Sequence, residues 1–173
     1  MIITCLIIGI CIIVYNLQIA GIINYVDFSI IPTYVVNGQW YRLITGALLH
    51  GGLYHIAMNM ISFYNLGSFL EPKLQKKRYL ILLLVGLVGS GGFVVFMSQQ
   101  NSMTVGFSGV IFSLFGCYVA WLIKTGNIRD RIVREQVVRT LITNAIISLM
   151  PGISLFGHLG GLIFGFIYGI IIF

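Results

Sequence analysis

Six apolar runs of near-bilayer length, separated by short polar segments, constrain this chain more than any other feature; they fall near residues 2–23, 53–70, 79–97, 105–123, 137–150 and 156–173. A bilayer core about 30 Å thick is crossed by roughly 20 apolar residues in helical form. Lipid offers backbone N–H and C=O groups no partners, so such runs must satisfy them internally. The expected fold class is therefore an all-α membrane protein, a bundle of six transmembrane helices forming one domain over residues 1–173. Composition agrees, at 58% apolar and 8% charged, far from the roughly half-apolar, quarter-charged balance of soluble domains. The fifth run is the most polar. It holds Arg139, Thr140, Thr143, Asn144 and Ser148 before Pro151-Gly152, which predicts a short, tilted or mobile helix.

The net charge of +6 does not describe a nucleic-acid surface, because the basic residues are gathered between apolar runs. Lys73, Lys76, Lys77 and Arg78 lie between the second and third runs, and Lys124, Arg129, Arg131, Arg134 and Arg139 between the fourth and fifth. These two segments share a side of the membrane, and the positive-inside rule makes that side the cytoplasm. Both chain ends then face the cytoplasm, as expected for a multi-pass protein of a prokaryotic plasma membrane, with Arg42 the lone basic residue opposite. The outer segment 24–52 carries Phe28, Ile30, Ile31, Tyr34, Trp40 and Tyr41 and is expected to lie partly in the membrane interface. Residues 1–24 read as a first helix rather than a leader, since they lack a basic start and end in Ile-Asn-Tyr rather than a small-residue cleavage site. Cys5, Cys11 and Cys117 sit in apolar runs and are odd in number, which favours small packing residues over a disulfide framework.

Two residues stand out as chemistry. Ser108, in Gly106-Phe107-Ser108-Gly109, opens the fourth run just beyond a polar external loop. Alone, it would read as a small-residue helix contact. His158, near the start of the sixth run, changes that reading, because an ionisable residue within a membrane span is costly and calls for a functional partner. Both runs enter from the external side, so a rise of about 1.5 Å per residue puts both side chains roughly 6–12 Å below that surface. Gly161, Gly165 and Gly169 on one helix, facing Gly109, Ser113, Gly116, Cys117 and Ala120 on the other, would permit close backbone approach. A serine becomes a useful nucleophile when a neighbouring base accepts its proton. No carboxylate is available at this depth, since the acidic residues are Asp27 outside and Glu71, Asp130 and Glu135 at the cytoplasmic side. The expected site is a Ser-His dyad.

Acyl transfer at such a pair also needs donors for a developing oxyanion. His55 and Asn59, one helical turn apart near the external end of the second run, suit that role, with the backbone N–H groups of Phe107 and Ser108. The bland alternative for His55 and Asn59 is an interhelical hydrogen bond, and for His50 the expectation is that it only fastens the external segment. A metal site built from His50, His55 and His158 is disfavoured by their spacing and by the absence of an accompanying carboxylate.

Taken in order, Trp40-Tyr41-Arg42, His50, His55-x-x-x-Asn59, Gly106-x-Ser108-Gly109 and His158-x-x-Gly161-x-x-x-Gly165 resemble the rhomboid family of intramembrane serine proteases, over residues 40–169. The resemblance implies Ser108 as nucleophile, His158 as general base and then acid, and His55, Asn59 and the Ser108 amide as the oxyanion site. It further implies cleavage of single-span transmembrane protein substrates within or beside their membrane span, with no cofactor, and sideways access near the second and fifth helices. Membrane lipid is the other expected partner, and nucleic acid is not. Two departures from the family pattern are Tyr41, which interrupts a Trp-Arg pair, and Phe112, which replaces a common tyrosine one turn below the serine. The chain resembles the minimal six-helix form, without an added cytosolic domain or seventh helix. Alternatives are a rhomboid-like pseudoprotease that binds membrane segments uncut, although such relatives typically lack the serine or the histidine, and a small transporter or channel, for which no inverted repeat is visible.

Overall fold

Backbone groups that cannot meet water take helical partners throughout the apolar runs, and the computed structural model, which describes all 173 residues, contains eight α-helices. They are α1 (Ile2–Ile19), α2 (Tyr25–Phe28), α3 (Pro32–Val36), α4 (Arg42–Leu48), α5 (Leu53–Met97), α6 (Ser108–Lys124), α7 (Arg131–Ser148) and α8 (Leu155–Ile172), with a 3-10 turn at Asn127–Arg129. The α1, α5 and α8 helices are long and apolar enough to cross a bilayer, and α6 is an apolar helix of 17 residues. Large apolar side chains such as Leu6, Ile13, Ile61, Leu84, Val88, Ile167 and Ile171 point outward. That outer surface suits lipid rather than water. The architecture is the helical membrane bundle the apolar runs predict.

The second and third runs are expected as separate helices joined by a polar loop, and here the structure differs. The α5 helix is unbroken in its turns except at Gln75, whose φ of 61° and ψ of 164° divide it into arms 53–74 and 76–97. The arms fold back on each other. A Cβ added to Gly67 in the first arm would lie 2.7 Å from the Tyr79 hydroxyl in the second. Residues 71–78 thus continue the helices up to one sharp reversal, just after Pro72. Of the basic residues at this end, Lys73 packs on aromatic rings: its ammonium lies 4.5 Å and 4.8 Å from the ring centres of Phe69 and Trp121, an attraction between cation and ring face. Glu71 is buried there and binds α1, accepting from the Ile3 and Thr4 amides at 3.0 and 2.9 Å and from the Thr4 hydroxyl at 2.6 Å. Because the Thr4 proton is engaged, Tyr79 donates to Thr4 Oγ1 at 2.9 Å. A carboxylate from α5 therefore satisfies amides that the start of α1 leaves open.

Other boundaries shift for local reasons. The α1 helix stops at Ile19, before Gly21 takes a φ of 72°. The α7 helix starts at Arg131 rather than near 137, because the Asp130 side chain caps it by accepting from Val133 N at 3.0 Å. Arg131 and Glu135 pair one turn later at 2.7 Å. Only Val137 and Ser148 of α7 are buried, as few residues as in α1, which Glu71 fastens in addition. Of the cysteines expected to pack, Cys11 and Cys117 are buried, whereas Cys5 lies on an exposed face of α1.

The tightest packing joins α6 to α8. A Cβ on Gly161 would meet the Gly109 carbonyl, one on Gly165 the Ser113 backbone, and one on Gly116 the Leu162 carbonyl. Farther along, a Cβ on Gly169 would stand 2.6 Å from Ala120 Cβ. The second arm of α5 closes the core, where a Cβ on Gly160 would lie 2.6 Å from the Gly89 carbonyl. Without side chains between them, these helices touch backbone to backbone. Gly165→Val should accordingly force α6 and α8 apart and destabilise the bundle by about 3 kcal/mol, the upper range for overpacking. Thermal unfolding in detergent checks this, and a variant as stable as the parent would contradict the packing described.

Candidate active site

The site begins with a loop held from outside. Ile30 and Thr104 exchange two backbone hydrogen bonds of 2.9 Å, joining the outer segment to the strand of chain that precedes α6. Gly106 then donates its N–H to the Gly46 carbonyl at 2.9 Å. Its φ of +114° suits glycine, and a Cβ there would lie 2.7 Å from His55 Nε2. Phe107 is buried edge-on against Phe63, with ring centres 4.8 Å apart. The chain next turns into α6 with Ser108 as its first residue. The opening amides of a helix have no intrahelical acceptor, so the N–H groups around Ser108 are free to serve a ligand.

The opposite wall is the start of α8. After a turn in which Gly152 has a φ of 83°, the Ser154 hydroxyl caps the helix by accepting from Gly157 N at 3.2 Å. This places His158 in the first turn, buried, with Nε2 at 2.9 Å from Ser108 Oγ. The two residues expected to meet do meet. The Phe112 ring lies parallel to the imidazole at 4.2 Å between centres and fixes its plane. The lost tyrosine hydroxyl does not prevent that stacking.

The second imidazole nitrogen has a partner that sequence reasoning missed. Ser148 Oγ, buried at the end of α7, lies 2.6 Å from His158 Nδ1 and 2.7 Å from the Asn144 carbonyl oxygen. A dyad is expected because no carboxylate reaches this depth, and none does; a hydroxyl occupies the third place instead. The only signal for it is that Ser148 and His158 lie ten residues apart on either side of the Pro151-Gly152 reversal.

His55 and Asn59 of α5 lie beside Gly106, two residues before the serine. The Gly51 amide donates to His55 Nδ1 at 3.3 Å, so the neutral ring carries its proton on Nε2, the nitrogen facing Gly106. Asn59 is buried and its Nδ2 has no protein partner, while a Cβ on Gly106 would lie 3.6 Å from that atom. Two side-chain nitrogens of α5 therefore face Gly106, two residues before the open amides at the head of α6. His50 does as expected and fastens the outer segment: its N–H donates to Gln18 Oε1 at 3.1 Å, and its Nδ1 lies 3.1 Å from the Leu48 carbonyl. Arg42 is buried, donating to the Val26 and Ser29 carbonyls at 2.9 and 2.8 Å and to Gln39 Oε1 at 2.6 Å. Tyr41 and Trp40 stay at the surface, the former within 5.7 Å of that guanidinium.

Two clefts approach this cluster. One of about 330 Å³ is lined by residues including His55, Ser98, Gln99, Ser102, Thr104 and Ser154, where α5 and α8 begin. Another of about 380 Å³ lies between α5, α6 and α7, lined by residues including Ser62, Asn65, Phe112, Tyr118, Thr140 and Asn144.

A family model described as the rhomboid domain matches residues 37–173. The protein named "Putative rhomboid protease YdcA" of Bacillus subtilis is 33% identical over 135 residues, covering 77% of this chain and 67% of that protein. "Rhomboid protease GluP" of the same organism is 32% identical over 143 residues, 76% of this chain and 26% of that protein. "Inactive RHOMBOID-like protein 8" of Arabidopsis thaliana is 29% identical over 130 residues, 73% of this chain and 36% of that protein. The chain thus spans about two thirds of the first relative and well under half of the other two. With a matched domain over most of its length and a relative of this similarity, the chain belongs to the rhomboid family.

Proposed function

We propose that this protein is an intramembrane serine endopeptidase that uses Ser108 and His158 to cut transmembrane protein substrates within or beside their membrane span. The observation that carries the reading is the 2.9 Å contact between Ser108 Oγ and His158 Nε2, made between helices fifty residues apart in sequence. The relatives named as rhomboid proteases support the reaction class. One relative bears the name of an inactive protein, which keeps a non-cleaving, segment-binding role as the second reading. A transporter or channel has no comparable support.

In the proposed reaction, Ser108 Oγ attacks the scissile carbonyl carbon while its proton passes to His158 Nε2. The carbonyl electron pair moves to oxygen, and the resulting oxyanion accepts hydrogen bonds from His55 Nε2, Asn59 Nδ2 and the Phe107 and Ser108 amides. Collapse of this intermediate breaks the C–N bond, and the leaving amine takes the proton held on His158. Water reaching the ester from the outer cleft then gives a proton to His158 as it attacks, and Ser108 is released with its proton restored. The buried, unpartnered amide of Asn59 supports its part in this step, because such a group is costly unless a ligand uses it.

The cleft between α5, α6 and α7 is the proposed route for a substrate helix, and its polar lining offers hydrogen bonds to a segment that unwinds there. We further propose one domain of six membrane crossings, two of them by the arms of α5, with both ends cytoplasmic in a prokaryotic plasma membrane. The basic bend of α5, the end of α6 and the start of α7 would face the cytoplasm and the site the outer leaflet.

A single-span fluorescent substrate co-reconstituted in liposomes tests the reaction. Ser108→Ala and His158→Ala should each abolish cleavage with the fold retained, and the double variant should lose no more than either single one. Cleavage at the parental rate by Ser108→Ala would contradict the nucleophile assignment. His55→Ala and Asn59→Ala should each lower kcat, by about 10- to 1000-fold, as expected for loss of an oxyanion donor. An unchanged kcat in both would remove them from the oxyanion site.

A further inference from the structure

A base that accepts a proton on Nε2 must carry its own proton on Nδ1, and a neutral imidazole has no other way to choose between the two than the partners it meets. For His158 one partner is Ser108; the other is the Ser148 hydroxyl at 2.6 Å. Ser148 has a single proton. Its oxygen also stands 2.7 Å from the Asn144 carbonyl, an approach that needs a proton between two oxygens. With that proton given to Asn144, Ser148 Oγ can only accept from His158, which sets the proton on Nδ1 and leaves the Nε2 lone pair directed at Ser108. The hydroxyl is buried, so water does not readily replace it.

We infer that Ser148 is a positioning residue, whose hydroxyl, held by the Asn144 carbonyl, fixes the tautomer and orientation of His158 and makes activation of Ser108 depend on the placement of α7. The inference rests on the proposed roles of Ser108 and His158. A hydroxyl brings no charge to the imidazolium formed during reaction, so its contribution is orientation rather than the charge stabilisation a carboxylate supplies. Its location adds a consequence. Ser148 is one of only two buried residues of α7, so a displacement of the outer end of that helix, of the kind that would widen the cleft beside it, withdraws the hydroxyl from Nδ1. A wide cleft and an oriented base then exclude each other, and chemistry follows the return of α7.

The test compares Ser148→Ala, Ser148→Thr and Ser108→Ala with the parent protein in the liposome cleavage assay, together with nitrogen-15 spectra of histidine-labelled protein. In Ser148→Ala, kcat should fall about 10- to 100-fold, less than the loss of a whole general base, with KM little changed. Threonine keeps the hydroxyl and should restore most of the rate. The His158 signal, identified by its disappearance in His158→Ala, should report a protonated Nδ1 in the parent and in Ser148→Thr and move toward protonated Nε2 in Ser148→Ala. Full activity of Ser148→Ala beside an inactive Ser108→Ala would overturn this inference and leave the proposed reaction standing. Equal losses in the alanine and threonine variants with an unmoved His158 signal would reduce Ser148 to packing. Cleavage by Ser108→Ala would overturn the proposed reaction and this inference with it.

Discussion

Backbone contact between α6 and α8 is the interaction on which the rest of this structure depends. The hydrophobic effect cannot press helices together in lipid, because the tails are as apolar as leucine, so association relies on close packing and polar contacts. Here Gly161 and Gly165 leave no side chain between α8 and the backbone of α6 at Gly109 and Ser113. Ser108 lies one residue before Gly109 and His158 three residues before Gly161. Their separation of 2.9 Å is therefore a consequence of the glycine seam rather than of flexible side chains finding each other. Phe112 completes the arrangement by stacking on the imidazole from a position on the same helix as the serine.

Around that seam, polar groups are satisfied in ways that separate the two ends of the molecule. At one end Glu71, Thr4 and Tyr79 bind α1 to the bend of α5. At the other, Arg42 and the Ile30–Thr104 bridge brace the loop that delivers Gly106 and Ser108. Between them, Asn59 Nδ2 is left without a protein partner beside the proposed nucleophile. Two buried side-chain nitrogens lack a protein partner, this one and His50 Nε2, and the Asn59 amide, near Gly106, is the one placed to serve a ligand oxygen in the proposed reaction.

Much of this is legible in the sequence because membranes make polar residues scarce. Ser108, His158, His55 and Asn59 stand out against apolar neighbours, and the four-residue spacing of Gly161, Gly165 and Gly169 announces a close helix contact. Ser148 does not stand out, since a serine in a polar helix is ordinary and its meaning appears only when the chain reverses at Pro151-Gly152. The start of α7 is missed for a related reason: apolar length locates spans, whereas Asp130 starts this helix by capping it. The reversal between the second and third runs is anticipated, but Gln75 has no turn preference to mark its place, and the capping of α1 by Glu71 is a long-range contact without a local signature. What the sequence conceals is thus tertiary: which helix ends meet, and what hydroxyl or carboxylate waits there.

The most direct test of the proposed chemistry is to treat the purified protein in detergent with a fluorophosphonate probe and to map the adduct by peptide mass spectrometry in the parent and in His158→Ala. The account predicts one phosphonylated residue, Ser108, in the parent and none in His158→Ala. An adduct on another serine, or equal labelling of Ser108 without His158, would contradict an activated serine at this site.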